Sequence, residues 1–166
     1  MASNFDFLKV DLDTAELFST ANMAENNYTQ KDYEGVLTKV RKVEENTAVL
    51  FANRAFIELT SHSTFHDKLQ IIKYHINNKA IVDAFFEIKG HGNSSAHILN
   101  PKDATQENAL KSLKQVYMIL VWFVTEYVDD NIKVSLYENF LEPKAQERYT
   151  TAERKFIYVQ TVNNES

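Results

Sequence analysis

Residues 32–57, DYEGVLTKVRKVEENTAVLFANRAFI, decide the fold. Within them Val36, Val40, Val43, Thr47, Leu50, Arg54 and Ile57 recur at alternating four- and three-residue steps. That spacing places them on one face of a long helix, and it predicts burial of that face against partner helices. Asp32 stands where an N-cap is needed, because its carboxylate can accept from the free amides of the first turn. A stripe of this length cannot cover itself, so the rest of the chain must supply other helices.

The flanking sequence offers four. Asp13 predicts the start of a first helix running to about Tyr28, with Ala15, Phe18, Ala21 and Ala24 or Glu25 near one face. Residues 26–30, NNYTQ, read as a loop. Beyond the long helix, residues 60–63 form a polar break. Thr64 and Asp67 have the spacing of a capping box and open a short third helix with Leu69, Ile72 and Ile76, ended by Asn77 and Asn78. Ile81, Ala84, Phe85 and Ile88 continue as a fourth helix. Asn100 and Pro101 stop the chain, and Asp103 predicts the start of a fifth helix. Its stripe is Leu110, Leu113, Tyr117, Leu120, Val124 and Val128. Residues 117–124 are apolar almost all round, which places this helix centrally.

The chain of 166 residues contains only three Gly and two Pro, and so few breakers favour helices over many short strands. The expected fold is all-α: an up-and-down bundle of about five helices over residues 1–130. Residues 131–166 form a less regular C-terminal extension or linker toward a following domain. There Phe156, Tyr158 and Gln160 alternate with Ile157, Val159 and Thr161, the pattern of a strand. A lone strand has nothing obvious to pair with, which suggests the front piece of a longer protein.

Composition narrows the function. Hydrophobic residues make up 44% and aromatic residues 12%, the composition of a folded chain. A net charge of −5 disfavours strong non-specific nucleic-acid binding, which needs a basic footprint. The absence of cysteine removes disulfides and thiolate zinc sites. The longest apolar run, residues 117–124, is too short to span a bilayer, and residues 1–9 lack a signal-length apolar stretch; the expected location is cytoplasmic, with no membrane partner.

Chemical motifs are sparse. His62 and His66 are four apart, but Thr64 lies between them and no His-Glu-x-x-His pattern exists. Asp129 or Asp130 with Glu142-Pro143-Lys144 superficially matches the acidic and Glu-x-Lys groups of metal-dependent nucleases, yet the proline puts Glu142 in a turn. Phosphate-loop and nucleophile-elbow motifs are missing. No catalytic residue, metal ligand or cofactor is expected of this chain itself.

One cluster remains. Residues 90–97, GHGNSSAH, hold two of the three glycines and two of the five histidines. Gly90 and Gly92 suggest close helix packing. Asn93 and His97 are four apart and would share a helix face. With Lys89, Arg41, Glu44 and Glu25 as charged partners, they read as a buried polar network that fixes helix register. The alternative is a small metal-independent ribonuclease of a toxin or anti-phage system, with His97 as acid/base.

Five short pieces carry a family resemblance: NFDFLK at residues 4–9, AENNY at 24–28, VRKVEENTA at 40–48, Lys89 with GNSSAH at 92–97, and VWF at 121–123. In this order and spacing they resemble the N-terminal helical region of the R subunit of type I restriction enzymes, most closely the enteric K-type. They are also distantly similar to the HEPN class of helical domains, whose active members carry an Arg, then a polar residue, then a His four residues after that polar residue. Here Asn93 and His97 match the last two, and Gly92 stands at the Arg position. The resemblance implies a non-catalytic interaction domain of an ATP-dependent DNA translocase and endonuclease. ATP and Mg²⁺ are implied for the parent subunit only. It further implies methylation and specificity subunits as partners, and DNA through the whole complex. A homodimerising bundle is also compatible with the long second and fifth helices.

Overall fold

Asp32 opens the long helix as its sequence predicts, its side chain accepting from the Gly35 amide at 3.0 Å. Asn27 Nδ2 donates to the other oxygen of the same carboxylate at 2.6 Å, so the cap also ties down the preceding helix. Gly35 leaves room for this cap: a Cβ at this position would overlap the Asn27 and Asp32 side chains and displace them.

The computed structural model describes residues 2–60, 64–90, 92–93, 98–99, 101–129 and 138–145. In these the chain is an all-helical bundle of α1 (Leu12–Thr29), α2 (Tyr33–Arg54), α3 (Phe65–Ile72), α4 (Lys79–Gly90) and α5 (Gln106–Tyr127). Three short 3-10 turns, Asp6–Val10, Lys73–His75 and Pro101–Asp103, link or precede the helices. A two-residue ladder follows α4, with β1 (Gly92–Asn93) antiparallel to β2 (Ile98–Leu99) and Asn93 opposite Ile98. The alternating segment at residues 156–161 lies outside the described residues.

Helix α2 touches every other helix, and α5 packs on α1, α2 and α4. The central position expected of α5 is therefore observed, and α2 shares it. Leu113, Val116, Ile119, Leu120, Val121, Phe123 and Val124 are fully buried. Aromatic rings knit the centre: Phe51 of α2 meets Trp122 at 5.1 Å and Tyr127 at 5.2 Å, while Tyr117 receives Phe5, Phe7 and Phe140 edge-on. Phe5 and Phe140 come from opposite ends of the described chain. The N-terminal turn and residues 138–145 are thus held on one side of α5.

Several expectations need correction. On α2 the buried residues are Val36, Leu37, Val40, Val43, Glu44, Thr47, Ala48, Phe51 and Ala52, while Leu50 is only partly buried against the core. The buried face is wider than the stripe and centred to one side of it, and because a helix of 3.6 residues per turn drifts by about 20° per heptad, Leu50 falls at its edge while Phe51 lies within it. Arg54 sits at the helix end and Ile57 beyond it. On α1 the buried set is Thr14, Leu17, Ala21, Ala24, Glu25 and Tyr28, so Ala15 and Phe18 flank the face instead of lying on it. Residues 26–29 continue the helix and are not a loop. Asp11, not Asp13, is at the α1 N-cap position; Asp13 lies in the first turn and pairs with Arg54. Thr105, not Asp103, caps α5 by accepting from the Asn108 amide at 3.1 Å. Thr64 and Asp67 form the expected capping box, and the buried residues of α4 are Ile81, Ala84, Phe85 and Ile88 as read from the sequence.

Helices α1 and α2 end alike. Asp32 N donates to Asn27 O and Lys31 N to Tyr28 O; Ile57 N donates to Ala52 O and Phe56 N to Asn53 O. Both are Schellman motifs, which place one residue in the left-handed region. Those residues are Lys31 (φ 62°) and Phe56 (φ 57°), neither of them glycine. The conformation costs a non-glycine residue about 1–2 kcal/mol.

Candidate functional site

Helix α2 carries Arg41, Glu44 and Glu45 on adjoining positions, and α4 brings Lys89 toward the same region in its last turn. Glu44 faces inward and is 0% exposed, and neither carboxylate oxygen makes a hydrogen bond among the described residues. Burial pushes its pKa well above the ordinary carboxylate value of 4.5, and Glu45 adds to the shift. Arg41 and Lys89 pull the other way without offsetting burial. Glu44 is therefore enclosed and out of reach of solvent, and burial favours its protonated form. Arg41 does not bond to it; its Nε donates to Glu45 Oε1 at 3.1 Å instead.

Glu25, 7% exposed on α1, belongs to a different assembly. It accepts from Ser3 Oγ and from Asn4 Nδ2, the latter at 2.8 Å. Burial is the largest influence on its pKa and raises it; the donors from Ser3 and Asn4 oppose that rise. Asn4 then bridges outward, donating from Nδ2 to Leu141 O at 2.7 Å and accepting at Oδ1 from Leu141 N at 2.9 Å. Its side-chain amide thus pairs with the backbone of residue 141 as a neighbouring strand would. One turn from Glu25, Tyr28 OH donates to Glu142 Oε1 at 2.5 Å and accepts from Gln106 Nε2 at 3.3 Å.

The expected network of Asn93, His97, Lys89, Arg41, Glu44 and Glu25 consequently divides. Arg41, Glu44 and Lys89 are brought together; Glu25 is taken up by the N-terminal turn. Asn93 is not on a helix: α4 ends at Gly90 and the chain folds back as a ladder packed on α2 and α4. A helix placing Asn93 and His97 on one face does not form, because Asn93 pairs with Ile98 across the ladder. His97, like His91 and His62, lies outside the described residues, as does Asp130, and the Gly92 and Asn93 side chains are not described. Gly90 does not serve close packing, since a Cβ there meets nothing within 4 Å. The glycine that permits close approach is Gly35.

His66 is exposed at the start of α3, with Gln70 Nε2 at 3.4 Å. Glu142, the acidic member of the nuclease-like Glu-x-Lys, is engaged by Tyr28. Among the described residues no group of three or more His, Asp or Glu could hold a metal ion, and no helix is long and apolar enough to cross a membrane.

Sequence reasoning passed over Ser3 and Asn4, the donors that satisfy Glu25. The signal was available: a buried acid on an amphipathic helix requires donors, and a Ser-Asn pair precedes the first turn. It also passed over Phe56, which stands 97% exposed in the left-handed region. Comparison with known protein families, with characterised proteins and with solved structures yields no match for this chain.

Proposed function

We propose that this chain is a non-catalytic interaction and architectural domain, the front helical part of a type I restriction R subunit. One observation carries the reading. The short sequence pieces behind the resemblance are the ones that join elements to each other. Asn4 of the first piece bonds Glu25 of the second. Arg41 and Glu44 of the third share a region with Lys89 of the fourth. Trp122 of the fifth packs on Phe51 and Tyr127. Residues spent on joining helices supply a framework, and the polar groups they bury are closed to substrate. The fully enclosed Glu44 cannot touch a reacting molecule, and Arg41 is tied to its helical neighbour.

In this reading the ATP- and Mg²⁺-dependent translocation and cleavage belong to other parts of the parent subunit. The domain's task is docking within a cytoplasmic complex that holds methylation and specificity subunits on DNA. Coexpression of the chain with the methylation and specificity subunits encoded beside it, followed by affinity purification and gel filtration, is the test. Co-elution supports the reading. Elution of the chain alone, or a gene neighbourhood without such subunits, removes it. Incubation with labelled RNA in the same preparation gives no cleavage above a His97→Ala control; cleavage that the substitution abolishes favours the ribonuclease alternative.

A further inference from the structure

The two most exposed large apolar side chains among the described residues are Phe56 at 97% and Leu12 at 89%. Both sit at one end of the bundle. Arg54, two residues before Phe56, bonds Asp11 Oδ2 at 2.9 Å and Asp13 Oδ2 at 3.3 Å, on either side of Leu12. The same guanidinium donates to Tyr127 O at 2.9 Å, so the last turn of α5 closes this end. Val10, also exposed, precedes the pair.

Phe56 is unusual twice over. It holds the left-handed position of a Schellman motif, where glycine is favoured, and it leaves an aromatic ring in water. Lys31 holds the equivalent position at the end of α1. A lysine there keeps its charge solvated and needs no further account. A phenylalanine gains nothing from the fold in the same place. Backbone strain combined with an unused anchor residue is the pattern of a recognition site.

The surroundings select the partner. With Asp11 and Asp13 paired to Arg54, the exposed carboxylates on the elements that form this end are Glu16, Glu58 and Glu126, against Lys9 among the described residues. A second copy docking through the same end would set these carboxylates against each other. Nucleic acid and anionic membrane are repelled for the same reason. We propose that the Phe56–Leu12 end docks a basic partner protein, whose apolar pockets receive both side chains and whose lysines or arginines meet the carboxylates. The inference rests on the reading of the chain as an interaction module.

Fluorescence anisotropy with a short amphipathic peptide of leucine and lysine tests it, beside a control in which glutamate replaces lysine. Wild-type chain binds the leucine–lysine peptide and not the control. Phe56→Gly relieves the backbone, raises the Tm by about 3 °C, and weakens peptide binding at least about tenfold. Because the variant gains stability, lost binding cannot be assigned to unfolding. Failure of the wild-type chain to bind the peptide, or equal binding by Phe56→Gly, overturns the proposal. So does self-association in sedimentation, or capture by phosphatidylserine vesicles, that Phe56→Gly abolishes. Repeating the subunit copurification with Phe56→Gly separates the two readings. If the variant still co-elutes, this surface is wrong and the module stands; if the wild-type chain does not co-elute, the module reading falls and the peptide arm still judges the surface.

Discussion

Glu25 and Glu44 are both buried carboxyls on adjacent helices, and the sequence treats them as equivalent members of one network. They are not. Glu25 lies where the N-terminal turn crosses α1 and gathers donors from Ser3 and Asn4. Glu44 lies inside the α2 surface and has no hydrogen bond among the described residues, only the fields of Arg41 and Lys89. One is a joint, since its removal frees the segment that also holds Leu141. The other is a concession, a polar group stored in the core where burial disfavours its charge. Burial alone does not make a carboxyl stabilising; the donors that reach it decide the sign.

The comparison breaks first at Glu25. Glu25→Ala strands the donors of Ser3 and Asn4 and loosens the contact with residue 141. A loss of about 2–3 kcal/mol is expected in urea unfolding. A change smaller than about 0.5 kcal/mol would show that the N-terminal turn is held by its aromatic packing alone. At Glu44 the sign reverses. Glu44→Leu removes a buried group that has no hydrogen bond among the described residues and raises stability at pH 8 by about 1–2 kcal/mol; a clear loss would mean that a partner holds the carboxyl.

The pH dependence sharpens the same point. With its folded-state pKa above the unfolded value, Glu44 keeps its proton in the native chain after the unfolded chain has released it. Stability therefore falls as pH rises from about 4.5 toward the raised value, and the loss is complete once the folded pKa is passed. Glu25 contributes a slope of the same sign. Chemical denaturation across this interval should show the slope, and Glu44→Gln should flatten it; an unchanged slope would assign the titration to Glu25. The smallest effect is expected at Tyr28→Phe, which loses the bonds to Glu142 and Gln106 at a cost of about 1 kcal/mol. A neutral result by thermal melting would leave Asn4 as the polar clasp on residues 138–145 among the described residues.

Much of the architecture was legible because it depends on local rules. The Asp32 cap, the Thr64–Asp67 capping box and the buried face of α4 follow from residue chemistry at fixed spacing within one or two turns. Errors gathered where a pattern had to be carried further. The α2 stripe slipped from Leu50 to Phe51 as helical drift accumulated, and α1 ran past Asn26 and Asn27 because the Asp32 cap and the Schellman bonds hold that end. The candidate site was the least legible part. Asn93 was placed on a helix by extending the period of α4 beyond Gly90, where the backbone in fact turns into a ladder.

By itself the sequence determined the helical class, the position of four of the five helices to within a few residues, and the apolar centre of α5. These are set by side-chain period, capping groups and the scarcity of glycine and proline. Only the tertiary structure decided which polar residues meet. It joined Asn4 to Glu25 and Leu141, buried Glu44, bound Arg54 to Asp11 and Asp13, and left Phe56 in water. The physical reason is distance along the chain: a hydrogen bond between residues 4 and 141 has no local signature, and it exists only once the helices between them have packed.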